Sequence, residues 1–176
     1  MTHVRASVLI PVKNGGPLLG EVIDAILQQQ TPWPFEVIVV DSGSKDDSVA
    51  LVRAKGVRCE QISPKEFGHG RTRNYLASLS VGEFLVFVTQ DAKPATTDWL
   101  YNMVRGCDSE PAVAGAFGPH RAHPEARHVT HCELRQHFAG FGSELAVVRL
   151  EDRTRFIEDA GSVSYTHLRA HETGRN

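Results

Sequence analysis

Apolar residues along this chain fall into short unbroken runs and longer stretches at three-to-four spacing, and the two kinds alternate. Residues 7–12 make the first run, nearly continuous, as expected of a strand whose sheet is covered on both faces. Leu18, Leu19, Val22, Ile23, Ile26 and Leu27 then recur at helical spacing behind Pro17, which suits a first helical turn. Thr31-Pro-Trp-Pro34 stops that helix. Residues 37–40 predict a second strand, and 41–48 crowd turn formers and cap residues before Val49 to Val52 resume a helical pattern. A third strand is predicted over 57–62, after a helix-ending Gly56. Gly68 to Asn74 opens a helix with apolar positions Tyr75, Leu76 and Leu79. Residues 84–92 are a fourth apolar run that ends in a lone carboxylate, Asp91. Thr97 and Asp98 are placed to cap a helix through Trp99, Leu100, Met103 and Val104, and 113–117 predict a fifth strand.

Strands alternating with helices at this spacing imply right-handed crossovers and an α/β fold: a mostly parallel, doubly wound sheet with flanking helices. Three regions follow: a ligand-binding α/β domain over 1–118, a less regular region over 119–161, and a tail over 162–176. In the middle region 123–140 reads as a weak helix, and 144–157 as either a helix or a strand pair.

The chain has 176 residues, enough for one domain with a real core, and its 41% hydrophobic and 23% charged residues suit a globular protein. With 19 Lys and Arg against 21 Asp and Glu, nothing suggests a nucleic-acid partner held by global charge, so an anionic ligand must be held by local basic groups. Cys59, Cys107 and Cys132 lie far apart and form no CxxC pair, which indicates neither a zinc site nor a disulfide framework and suits a reducing cytoplasm. The apolar stretch before Pro11, Lys13 and Asn14 is too short for a secretory leader or a membrane span.

Two predicted strands end in carboxylates, Asp41 and Asp91. In an open α/β sheet, ligands bind outside the carboxyl ends of the strands. Taken with the Lys13-Asn-Gly-Gly16 turn and with Arg71 and Arg73 at a helix start, these residues describe a diphosphate site. Arginines and helix amides favour phosphate oxygens, and one carboxylate can hold a bridging divalent cation. A P-loop is absent, and no GxGxxG follows the first strand, since Gly68-His-Gly70 comes later with Arg73 at the third glycine position.

Four strings in order, Val8-Leu-Ile-Pro-Val-Lys-Asn14, Glu36-Val-Ile-Val-Val-Asp-Ser-Gly-Ser-Lys-Asp46, Phe67-Gly-His-Gly-Arg-Thr-Arg-Asn74 and Val88-Thr-Gln-Asp-Ala92, resemble family 2 glycosyltransferases of the GT-A fold. The Thr-Gln-Asp-Ala form resembles the bacterial rhamnosyltransferase branch. The resemblance covers residues 6–118. It implies that Pro11, Val12 and Lys13 line a nucleotide pocket, with Asn14 in the same loop, and that Asp41 contacts the base with Ser42 and Ser44 nearby. It implies that Arg71, Arg73 and Asn74 close over the nucleotide diphosphate. Asp91, with Gln90 beside it, is then the acidic member of a metal-binding triplet for Mg²⁺ or Mn²⁺. The common pattern carries two acids, and Thr89 replaces the first.

The implied reaction is inverting transfer of a sugar, rhamnose by the branch resembled, from a dTDP- or UDP-sugar to a hydroxyl of a glycan or lipid-linked acceptor. The implied setting is the cytoplasm, with peripheral association at the inner face of the plasma membrane. The family's later acidic motif, which supplies the base, is not found. Glu151-Asp152 and Glu158-Asp159 sit in a charged run that reads as a solvated face. The resemblance makes 1–118 the nucleotide-sugar (donor) binding domain and 119–161 the truncated start of an acceptor-side region. The chain therefore reads as truncated before its base and inactive alone, and a non-catalytic nucleotide-binding module or pseudoenzyme stays open as the alternative. From Ser164 onward the text resembles a translated adapter tail, and His167 and His171 are read as part of it. His120, His123, His128, His131 and His137 are irregularly spaced and read as a polar helix face, while Trp33 and Trp99 read as core or turn anchors.

Overall fold

The computed structural model describes residues 3–109 together with strands at 115–117 and 146–149. The elements run β1 (Ala6–Val12), α1 (Gly16–Leu27), β2 (Phe35–Asp41), α2 (Ser48–Ala54), β3 (Arg58–Gln61), α3 (His69–Leu79), β4 (Phe84–Phe87), α4 (Trp99–Asp108), β5 (Gly115–Phe117) and β6 (Ala146–Arg149). They build one six-stranded sheet in the order β3-β2-β1-β4-β6-β5. β1, β2, β3 and β4 are parallel, and β6 runs antiparallel to both β4 and β5. The expected mostly parallel sheet between helices is therefore present.

Strand β1 is central because nearly every residue on both its faces is apolar. Ala6, Val8, Ile10 and Val12 join one core with Leu19, Val22, Ile23 and Ile26 of α1 and with Leu100, Met103 and Val104 of α4. Leu9 points the other way, into a smaller core with Ile38, Val40, Leu85, Phe87 and Leu76 of α3. The period-two alternation thus assigns α1 and α4 to one face and α3 to the other. Trp33 and Trp99 pack half-buried against the larger core, as expected of anchors.

The chain builds β1, β2 and β3 outward in one direction, then returns across the opposite face through α3 to place β4 on the far side of β1. The order reverses between β1 and β4, which makes the carboxyl ends of these two strands the topological switch point.

Several boundaries differ from the sequence expectations. β4 ends at Phe87, and a turn closed by the Ala92 amide on the Thr89 carbonyl (3.1 Å) then carries Asp91. Leu18, Leu27 and Tyr75 are exposed, because α1 and α3 each bury a narrower stripe than their apolar residues suggest. β6 comes from the stretch in which sequence left helix and strand pair open, and it inserts between β4 and β5, so the sheet draws on a segment beyond residue 118. Asp98 precedes α4 without capping it, binding Thr96 and Asn102 instead. The cap is supplied by Gln29, whose Oε1 accepts the Leu100 amide at 2.8 Å. The helix read at 123–140, the five histidines between 120 and 137, the two acid pairs, Cys132 and residues 162–176 lie outside the described residues.

Candidate functional site

The loop after β1 lies between the loops after β2 and β4 because β1 lies between those strands. Its conformation is sharply turned: Asn14 has φ 50° and Gly16 has φ 57°. Asparagine tolerates this left-handed region, and here its Oδ1 also accepts the Lys45 amide at 2.8 Å.

Each amide from 13 to 16 is taken by a side chain from a neighbouring loop. The Asn14 amide donates to Ser44 Oγ (2.7 Å), the Gly15 amide to Ser48 Oγ (2.9 Å) and the Gly16 amide to Asp46 Oδ2 (3.1 Å), from the loop after β2 and the first residue of α2. From the other side, Gln90 Oε1 accepts the Lys13 amide at 2.8 Å and Gln90 Nε2 donates to the Lys13 carbonyl at 3.2 Å. Pro17 has no amide hydrogen to offer. The amides of this turn up to Gly16 are therefore taken by side chains of the protein itself.

The loop after β2 is equally committed. Asp41 is buried, 1% exposed, and its Oδ1 accepts the Gly43 and Ser44 amides at 3.0 Å each. Its Oδ2 accepts the Ser44 hydroxyl. Ser42 is also buried, and its amide and hydroxyl both donate to the Val12 carbonyl, at 2.9 and 3.1 Å. Asp46, which sequence reading passed over as a turn former, is the hinge of the network: its Oδ1 accepts the Ser48 hydroxyl and amide while Oδ2 reaches Gly16. The Ser48 hydroxyl is the main cause holding its carboxyl below the usual carboxylate range. The signal for it was present as an Asp-x-Ser spacing ahead of a helix, the local pattern that ties such side chains to backbone.

Asp91 stands apart. It is exposed at the tip of its turn and makes no hydrogen bond or ion pair with the described residues. Among those residues no three His, Cys, Asp or Glu side chains gather to cage an ion. Gln90, adjacent to it, is spent on the loop after β1. The donor set thus fits Mg²⁺ or Mn²⁺ held by one carboxylate, water and a ligand's phosphate oxygens, and does not fit an all-protein cage.

Basic groups rim the same edge. Lys13 is exposed, and α3 begins at the carboxyl edge with Arg71 and Arg73 in its first turns. Arg71 Nη1 donates to the Glu66 carbonyl at 3.4 Å, and Arg73 Nη1 to the His69 carbonyl at 3.2 Å. Positions i and i+2 lie about 200° apart around a helix, so the two arginines flank buried Thr72 on opposite sides. Asn74 follows in α3, half-buried, and Pro11 is half-buried near the end of β1. The structure thus gathers Pro11, Val12, Lys13, Asp41, Ser42, Gln90 and Asp91 at the ends of three adjacent strands, with the α3 residues behind the same edge.

Comparison with known proteins gives the family and the fold. The chain is 39% identical over 125 residues to the O-antigen chain rhamnosyltransferase RfbN of Salmonella typhimurium, an alignment covering 70% of this chain and 39% of the relative. It is 38% identical over 87 residues to the O-antigen chain rhamnosyltransferase WbaN of Salmonella anatum, covering 49% of this chain and 28% of that one. The chain thus spans about two fifths or less of the length of these relatives. Among solved structures, the mannosyltransferase PcManGT of Pyrobaculum calidifontis, in complex with GDP-Man and Mn²⁺, superposes with a TM-score of 0.64 at 24% identity, covering 86% of this chain and 46% of that one. That likeness supports the GT-A fold. The model of glycosyl transferase family 2 matches residues 7–160, and the chain belongs to that family.

Proposed function

We propose that the carboxyl edge of the sheet between β1 and β4 binds a nucleotide diphosphate sugar, and that the protein transfers the sugar to an acceptor hydroxyl with inversion. The observation that carries this reading is the convergence, at the switch point, of a braced loop after β1, the Asp41 turn and an uncommitted Asp91. The names of the Salmonella relatives support rhamnose as the sugar and a growing glycan or lipid-linked chain as the acceptor. A dTDP- or UDP-sugar is the donor proposed.

Lys13, Arg71 and Arg73 supply the local positive charge that a chain of net charge −2 otherwise lacks. Asp91 would hold a divalent ion, which when bound would supply positive charge to offset that of the diphosphate. Pro11, Val12 and Lys13 form the wall beside the nucleotide, and Ser42 fixes that wall by binding the Val12 carbonyl. Asp41 holds the turn that faces the base, and a direct bond to the base requires the Ser44 hydroxyl to swing away from its carboxylate. Asn74 completes the α3 side.

The acceptor hydroxyl must lose its proton to a base as it attacks. Asp41 and Asp46 are bound within their loops and Asp91 is assigned to the metal, so this reading places the base elsewhere than on these three. The proposed setting is the cytoplasm, at the inner membrane face. No helix among the described residues is long and apolar enough to cross a membrane.

Titrating the folded chain with dTDP- and UDP-sugars in the presence of Mn²⁺ tests the reading. Saturable binding of one of them is expected, and no binding by either contradicts it. Binding without turnover when acceptor is supplied favours the non-catalytic module.

A further inference from the structure

We infer that Gln90 is a positioning residue that sets the loop after β1 rather than a residue that touches the donor or its metal. This deepens the proposed donor site and rests on that reading. Both polar atoms of the Gln90 side chain are used on the backbone of one residue: Oε1 accepts the Lys13 amide and Nε2 donates to the Lys13 carbonyl. The pairing is reciprocal and spans 77 positions of sequence, and it ties the two strands together beyond their last backbone bond, from the Val88 amide to the Leu9 carbonyl at 3.0 Å. It crosses between the carboxyl ends of β1 and β4, where the strand order reverses.

The opposite side of the same loop is braced by Ser44, Ser48 and Asp46. Removing Gln90 leaves that brace intact and frees only the side facing Asp91. The left-handed Asn14 follows directly, a conformation that persists when its surroundings determine it. Asn14 and Lys13 therefore take their position from Gln90 on one side and the β2 loop on the other. The glutamine amide carries an acceptor and a donor on one planar terminus, which lets it satisfy an amide and a carbonyl of the same residue together. The residue next to the metal carboxylate is in this way the ruler for the nucleotide wall, and Asp91 itself stays free for the cation.

The test compares two probes on the intact chain by NMR titration. dTMP or UMP without metal reads the loop after β1, and dTDP or UDP with Mn²⁺ adds Asp91. Gln90→Ala is expected to weaken both probes by the same factor, at least about fivefold, with faster hydrogen exchange at the Lys13 amide. Gln90→Glu keeps the acceptor and loses the donor, so its effect on the metal-free probe falls between wild type and Gln90→Ala. A loss confined to the Mn²⁺-dependent diphosphate probe means that Gln90 touches metal or diphosphate, and overturns the inference. Unchanged affinities with unchanged Lys13 exchange overturn it too. A wild type that binds neither probe overturns the donor-site reading itself, and this inference with it, which separates that failure from a wild type that binds and a variant that does not differ.

Discussion

Asp46 and Ser48 are bound twice over: the Ser48 hydroxyl and amide both donate to Asp46 Oδ1, at 2.6 and 3.1 Å, and Ser48 Oγ in turn accepts the Gly15 amide. The ionised carboxylate is what this arrangement favours, so its carboxyl lies below its ordinary value of 3.8. A group whose pKa is lowered on folding stabilises the fold above its unfolded value and loses that contribution as pH falls through the folded one. The stability difference between wild type and Asp46→Asn should be constant near neutral pH and shrink once pH drops below 3.8. Denaturant midpoints of both proteins across that range check this, and a difference that grows towards acid contradicts it.

The Asp41 turn predicts a second effect. Gly43 has φ 88°, and a methyl group there would sit 2.6 Å from Pro64 Cγ. Gly43→Ala must accept both a left-handed backbone and a clash with a ring that cannot easily retreat, at a cost of about 1–3 kcal/mol. Thermal unfolding measures it. An unchanged midpoint shows that the turn is not held against Pro64 as described.

The start of α4 predicts a third. Gln29 is buried, accepts the Leu100 amide, and donates through Nε2 to the Thr96 carbonyl at 2.8 Å and the Ala25 carbonyl at 3.0 Å. Gln29→Leu leaves these groups without their partner and should cost about 2 kcal/mol or more. Hydrogen exchange at Leu100 should accelerate beyond what the global loss of stability explains. Exchange that tracks global stability alone contradicts the cap.

The sheet was legible in the sequence because β1, β2 and β4 each carry an apolar run, and the helices between them keep a 3.6-residue stripe. That Asp41 and Asp91 lie at one edge of the sheet followed from each closing such a run. What did not follow were interactions across loops. Val88 continues the apolar run of β4, is buried and still donates its amide to the Leu9 carbonyl, so nothing in the run itself marks where the turn that carries Asp91 begins. Gln29 caps a helix 71 positions away, and Gln90 reaches Lys13 across 77. Local propensity carries no record of such partners. The short apolar run at β6 suits a strand or a helix by itself, and only its neighbours β4 and β5 decide.

Asp91 is the residue proposed to hold a divalent cation beside a nucleotide diphosphate at the β1–β4 edge. Calorimetric titration of dTDP and UDP into wild type and Asp91→Ala, with and without Mn²⁺, tests it most directly. Mn²⁺ should tighten binding of one nucleotide to the wild type by at least about tenfold, which is about 1.4 kcal/mol, and Asp91→Ala should abolish that gain while retaining the metal-free affinity. An equal Mn²⁺ gain in both proteins would place the metal elsewhere and contradict the account.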